Sequence, residues 1–238
     1  MDLPAQPPPD TPAPPPGPEA LWSRQKMRWI IGAGILSILG LALALPYSRW
    51  KRTRITGCDV TETTNNARQL HLALFNFDSD YGRFPDASTV AAVKADTGTT
   101  VTLGTSSSNE LLRQLLVTVC KAESVFWGPS ELTPRKPDND MSGSRALEKG
   151  ECSFAYVAGL STSSDAETPV LIAPVAPGKR GFERREENDD MAVVLFIDGS
   201  AKKLPIDKHG NAMLNGMDLL NPRQPFWGGK APDVKWPE

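Results

Sequence analysis

Thr61–Tyr81 reads TETTNNARQLHLALFNFDSDY, and its apolar spacing decides the fold. Ala67, Leu70, Leu74, Phe77 and Tyr81 recur every three or four residues, which lines them along one face of a helix. Thr61 or Thr63 is placed to cap the start, and Gly82 to stop it. Phe84-Pro85-Asp86 then leaves in extended form, because a residue preceding proline avoids the helical region.

An apolar stripe needs a partner, and the downstream sequence offers one. A Ser/Thr/Gly-rich segment carries a short helix near 90–95, and NELLRQLLVTV (Asn109–Val119) turns Leu111, Leu112, Leu115 and Leu116 inward. Glu123–Gly128 meets the domain edge, and Pro129–Lys149 reads as a polar loop. The period then changes: Cys152–Ala158 (CSFAYVA), Val170–Ala173 (VLIA) and Met191–Ile197 (MAVVLFI) are strand candidates. Asp198-Gly199 follows at once, then Ser200–Leu204, the pattern of a hairpin closed by a two-residue type I′ turn. Helices followed by a run of strands predict an α+β domain, with the amphipathic helix packed on a small antiparallel sheet.

Upstream, Trp29–Leu45 (WIIGAGILSILGLALAL) contains no charge, and Pro46 extends it. Its length sits at the lower edge of the about 17–25 residues that cross a bilayer. Gly32, Gly34 and Gly40 would weaken a helix in water but are common in lipid, and Trp29 and Trp50 bracket the run as interfacial anchors do. Five segments are therefore expected: a Pro-rich tail (1–28), a single transmembrane helix (29–46), a basic juxtamembrane linker (47–60), the α+β domain (61–216) and a Pro/Trp-rich extension (217–238). Trp227 and Trp236 in the extension are expected to pack on the domain. Three basic residues precede the apolar run (Arg24, Lys26, Arg28) and four follow it (Arg49, Lys51, Arg52, Arg54), a slight lean toward a cytoplasmic C-terminal side.

The chemistry visible in the sequence is sparse. A net charge of −2 argues against a nucleic-acid binder. No Walker loop or nucleophile elbow occurs, and His71 and His209 stand alone, so the expectation is a non-enzymatic protein. Cys58, Cys120 and Cys152 form no C-x-x-C pair, which argues against structural zinc. Two readings of them stay open: a Cys120–Cys152 disulfide in an exported domain, or three reduced thiols. Calcium is the one cofactor the acidic clusters raise, at Asp138-Asn139-Asp140 and Glu186–Asp190. Gly143 falls sixth from Asp138, but Lys149 stands twelfth where an EF-hand has glutamate, so a solvated acidic loop is the preferred reading.

Asn65–Asp86 (NNARQLHLALFNFDSDYGRFPD) resembles the start of the soluble domain in bacterial pseudopilin-like proteins, matching at Asn66, Arg68, Gln69, Leu70, Ala73, Leu74, Phe77, Tyr81, Gly82, Phe84 and Pro85. Val193–Leu204 is similar to the last hairpin of the prepilin-type His-x9-Asp-Gly domain of Planctomycetes and Verrucomicrobia, with Asn188 where that signature has histidine. The resemblance implies a single-pass protein of the bacterial inner membrane, its tail cytoplasmic and its C-terminal domain exported. That outweighs the three-against-four charge count. It also implies a structural or adaptor role in a type II secretion- or pilus-related envelope assembly, with the bilayer and other envelope proteins as partners. The alternative is an envelope-anchored module that binds protein or glycan. Leu70, Leu74, Phe77 and Tyr81 would then hold the sheet, Gly82 and Pro85 would shape the helix exit, and Asp198-Gly199 would close the hairpin. Some pseudopilins hold calcium in the loops of their sheet. The apolar run lacks the family's G-F-T-L motif and glutamate, so an uncleaved anchor is expected.

Overall fold

The computed structural model describes residues 60–130, 133, 135–182 and 191–238. The chain divides into two units, Met1–Arg52 and Thr53–Glu238. The predicted transmembrane run, the Pro-rich tail, Cys58 and Glu186–Asp190 with Asn188 all lie outside the described residues. Among the described residues, no helix is long and apolar enough to cross a membrane.

The first helix, α1, covers 60–81 of the described chain. Its inward stripe is the one expected: Ala67, Leu70, Leu74 and Phe77 are all buried. The threonine caps are not where the sequence places them. The backbone is already helical at Val60, and Thr64 Oγ1 donates back to the Val60 carbonyl at 2.7 Å. Thr63 is instead buried within the helix. Gly82 does end α1, at φ +75°, with its amide donating to the Asp78 carbonyl at 2.7 Å.

Two shorter helices follow, α2 (Val90–Thr97) and α3 (Ser108–Thr118). Ser107 caps α3 through its side chain, while Glu110 reaches back to the Ser106 amide at 2.7 Å, a variant of the capping box. Leu111, Leu112, Leu115 and Leu116 enter the same core as the α1 stripe. The opposite side of α3 is polar but also buried. Asn109 donates to the Leu147 and Glu148 carbonyls, and Arg113 to those of Thr102, Ala146 and Leu147. The 135–151 loop is thereby pinned on α3 by backbone carbonyls that would otherwise be desolvated without donors.

Among the described residues, seven strands make two sheets. β1 (Ala155–Ala158), β2 (Pro169–Ala173), β3 (Met191–Phe196), β4 (Ala201–Pro205) and β7 (Asp233–Lys235) form an antiparallel sheet in the order β4-β3-β2-β1-β7. β5 (Met213–Leu214) and β6 (Met217–Asp218) form a separate two-stranded ribbon. The main sheet divides its side chains cleanly. Tyr156, Leu171, Ala173, Val193, Leu195 and Ile197 face the helices, and Ala155, Ile172, Ala192, Val194, Phe196 and Leu204 face the other way. The register keeps partners on one side, with Leu171 opposite Leu195 and Ile172 opposite Val194. A bulge between Pro169 and Leu171 lets adjacent Val170 and Leu171 both reach the helix-side core.

The second face is covered by the end of the 61–216 segment together with the C-terminal extension, which is expected from its sequence to pack on the domain. Ile206, Ala212, Leu219, Phe226 and Trp236 pack there. Trp227 donates from its indole to the Leu219 carbonyl at 2.8 Å, and buried Gln224 bridges the Leu214 and Asp218 carbonyls. Residues 217–238 are therefore part of the domain: they supply β6, the edge strand β7 and much of the second layer. Their last residues also dock on the start of α3, where the Ser108 amide donates to the Trp236 carbonyl at 3.1 Å.

Position along α1 should decide the cost of truncating it. Leu74→Ala, fully buried, is expected to destabilise the full chain by about 2–5 kcal/mol. Leu72→Ala, at 65% exposed, should stay within about 0.5 kcal/mol. Urea titration in detergent measures both; equal effects would mean the helix is rotated from this packing.

Candidate functional site

The structure brings two of the sequence-selected features together. His71, on α1, reaches the β3–β4 hairpin: its Nε2 lies 3.0 Å from the Ile197 carbonyl oxygen. The ring also stacks at 4.4 Å on Phe75 and lies against Gly199. A Cβ at Gly199 would come within 2.7 Å of the imidazole Cε1. Gly199 is also at φ +81°, which a side chain resists. Two separate constraints thus select glycine at this position.

The hairpin is not the two-residue type I′ turn expected. Positive φ occurs at Gly199 but not at Asp198. The Gly199 amide donates to the Phe196 carbonyl at 3.0 Å and the Phe196 amide to the Ser200 carbonyl at 2.9 Å. This is a three-residue connection, Ile197-Asp198-Gly199, in which a type I turn is followed by a left-handed residue. The extra residue leaves the Ile197 and Asp198 amides free to donate to the Thr168 and Ala166 carbonyls before β2. Burial pushes the Asp198 carboxyl up. Hydrogen bonding from Ser200, whose amide lies 2.8 Å from Oδ1, outweighs that, and with Lys202 and His71 holds it below the usual aspartate value.

The other residues singled out from sequence have defined places. Leu70, Leu74 and Phe77 are in the helix-side core. Tyr81 is a partial correction: its ring packs on Phe77 at 4.4 Å, but its hydroxyl donates at 2.8 Å to Asp96 on α2 rather than meeting the sheet. Burial and the Asp96 carboxylate push its pKa up to about 12. The Pro85 carbonyl accepts from the Tyr156 hydroxyl at 2.8 Å, which ties the chain after α1 to β1. Gln114 holds the next residues, donating to the Asp86 carbonyl at 3.0 Å and accepting from Thr89 at 2.6 Å. Cys120 and Cys152 do not pair: both are free thiols, and buried Cys152 lies 3.8 Å from Ser108 Oγ. Burial pushes both thiols up to about 11.

A third constellation has no sequence signature. Glu123 opens the 3-10 turn Glu123–Phe126, Asp138 lies in the following loop, and Glu151 precedes β1. Their carboxylate oxygens lie within 4.8 Å of one another. Glu123 and Glu151 are both 0% exposed, whereas Asp138 is open to solvent. The Leu147 amide donates to Glu123 Oε1, and the Glu148 amide to Glu151 Oε2 at 2.7 Å. The second oxygen of each, Glu123 Oε2 and Glu151 Oε1, has no hydrogen-bond donor among the described residues. Arg135 Nη2 lies 3.0 Å from Glu151 Oε1 as an ion pair, without the alignment of a hydrogen bond, and also meets Glu148. Burial raises the pKa of both glutamates, and neighbouring carboxylates add to it. The expected Asp138-Asn139-Asp140 loop takes a different part from an EF-hand. Asn139 Oδ1 accepts from the Glu123 amide at 3.0 Å, and Asp140 pairs with Arg145 at 2.7 Å.

Near the start of α3 a cleft of about 720 Å³ is lined by residues including Ser107, Lys149, Lys179, Lys235, Trp236 and Glu238. Comparison with protein-family models, with curated proteins and with solved structures finds no match.

Two measurements test the hairpin clasp. Gly199→Ala should destabilise the full chain by about 2 kcal/mol or more, combining left-handed strain with displacement of His71. In a His71→Ala background the same change should cost about 1–2 kcal/mol, the strain alone. Identical costs in both backgrounds would show that the ring does not press on Gly199. Asp198, with its folded pKa depressed, stabilises at neutral pH and loses that contribution as pH falls through its folded value. The stability gap between wild type and Asp198→Asn should therefore close between about pH 5 and pH 3, and a gap unchanged across that range would contradict the assignment.

Proposed function

We propose that this chain is a membrane-anchored, non-enzymatic, pseudopilin-like protein, a structural or adaptor component of a secretion- or pilus-related envelope assembly, with its C-terminal domain exported. The observation that carries the reading is the order of parts along the chain. An uncharged apolar run at 29–46 precedes a helix that is already formed at residue 60, and the stripe of that helix shares a core with an antiparallel sheet. Such an order sets a membrane anchor ahead of a folded domain, with the basic 47–60 segment between them.

Three further features support it. Asn66, from the segment that carries the resemblance, is buried and donates to the Ser124 and Trp127 carbonyls at 3.1 and 2.8 Å. Phe84 is buried, and its amide donates to the Leu160 carbonyl at 3.1 Å. His71 is engaged as a packing and hydrogen-bonding group between α1 and the hairpin, which suits a structural role better than acid–base work. The bilayer, through 29–46, and other envelope proteins are the partners this reading implies.

Membrane orientation tests it. In a bacterial host, alkaline phosphatase fused after residue 60 is expected to be active and a fluorescent protein at the same junction dark. The reverse pattern would place the domain in the cytoplasm and overturn the exported reading.

A further inference from the structure

The Glu123–Asp138–Glu151 cluster is unusual in what it leaves undone. Each buried glutamate accepts a backbone amide on one oxygen and has no hydrogen-bond donor on the other among the described residues, while one oxygen of each lies within 4.8 Å of the other carboxylates of the cluster. Glu123 Oε2 is the decisive atom: it belongs to a side chain with no exposure and has no hydrogen-bond donor among the described residues. A buried carboxylate left in that state costs several kcal/mol unless a positive charge or proton meets it. Arg135 offers one guanidinium, already shared between Glu148 and Glu151, against three converging carboxylates. When ionised, the three converging carboxylates alone outnumber that guanidinium by two negative charges, before Glu148 is counted.

We propose that Glu123, Asp138 and Glu151 form a calcium site that fastens the 135–151 loop to the 3-10 turn and to the segment entering β1. The donors are all hard carboxylate oxygens, with no histidine or thiolate among them, which selects calcium or magnesium over zinc or copper. A separation of up to 4.8 Å is spanned by two Ca–O bonds of about 2.3–2.6 Å. Magnesium demands near-ideal octahedral geometry at about 2.0–2.1 Å and gives up its waters reluctantly, so a set of three protein carboxylates suits calcium better. Exposed Asp138 leaves the outer side to water, which suits the six to eight ligands calcium takes. The cation supplies the double charge that Arg135 does not, and it lies between the helical half of the domain and β1 rather than in a loop of the sheet.

The sequence separation of the three ligands assigns the site a role. Glu123 and Glu151 flank a 28-residue step in the chain, and the loop between them is also held by Asn109 and Arg113 of α3 and by the Thr102 amide on the Gly143 carbonyl. Binding at Glu123 and Glu151 closes that loop at its two ends.

Thermal unfolding of the full chain in detergent, read by circular dichroism, tests the proposal with calcium chloride alone as the probe. At 1 mM Ca²⁺ the midpoint should rise by about 5 °C or more over EDTA, and 1 mM Mg²⁺ should give less than half of that. Asp138→Asn changes an exposed residue, so it should fold, and it should weaken calcium binding at least tenfold by calorimetry. Glu123→Gln should abolish the calcium shift, while in EDTA it should be no less stable than wild type, since it removes an uncompensated charge. Asp140→Asn should keep the wild-type calcium response. Any of three results would overturn the site: no calcium shift in wild type, an unchanged affinity in Asp138→Asn, or equal losses in Asp138→Asn and Asp140→Asn.

Discussion

The central pair of strands, β2 and β3, is apolar on both faces, and the rest of the domain is arranged around covering it. Pro169–Ala173 and Ala192–Phe196 are buried throughout. An antiparallel sheet commonly leaves one face to water, and its strands then alternate apolar and polar residues. Here that escape is closed. The α1 stripe, with Leu70, Leu74 and Phe77, shares a core with one face, and the chain from Ile206 to Trp236 shields the other. Burial at about 25 cal/mol per Å² makes such covering the dominant favourable term, and neither layer is optional on this account.

Much of this was legible. The period of three and four across Ala67–Phe77 specified both the helix and its buried side, because on one amphipathic helix spacing and facing are the same information. Asp198-Gly199 located the hairpin, although the turn type needed the backbone: only Gly199 takes positive φ, so the loop has three residues. The second layer was legible in part: the extension was expected to pack on the domain, but not to supply the edge strand β7. MAVVLFI is continuous rather than alternating, the mark of a strand covered on both sides, which fits the expected packing of Trp227 and Trp236 on the domain. Local spacing could not reveal the packing of His71 on Gly199, because those residues are 128 positions apart and the contact follows from where α1 crosses the sheet.

The carboxylate cluster was hidden for the same reason. Sequence spacing directs attention to Asp138-Asn139-Asp140 as a short acidic run, but two of those three residues serve other partners. Asp138 instead meets Glu123 and Glu151, each isolated in sequence and each buried by segments that α3 gathers. The functional reading of the whole chain has a different basis. It rests on the order along the sequence, an uncharged apolar run at 29–45 ahead of a domain whose first helix is clasped to the sheet by His71. A packing histidine, a hairpin glycine fitted against it and a tail woven into the sheet edge describe a domain built to be rigid.

The most direct test of the two-layer account is native-state hydrogen exchange on the full chain and on a chain lacking residues 217–238. In the full chain, the amides of β2 and β3 should exchange only through global unfolding, at one common protection level. Without β6, β7, Trp227 and Trp236 that protection should collapse and the cooperative unfolding transition should be lost. Undiminished protection of β3 in the shortened chain would show that the second layer is an ornament of the fold and that the helix side alone sustains it.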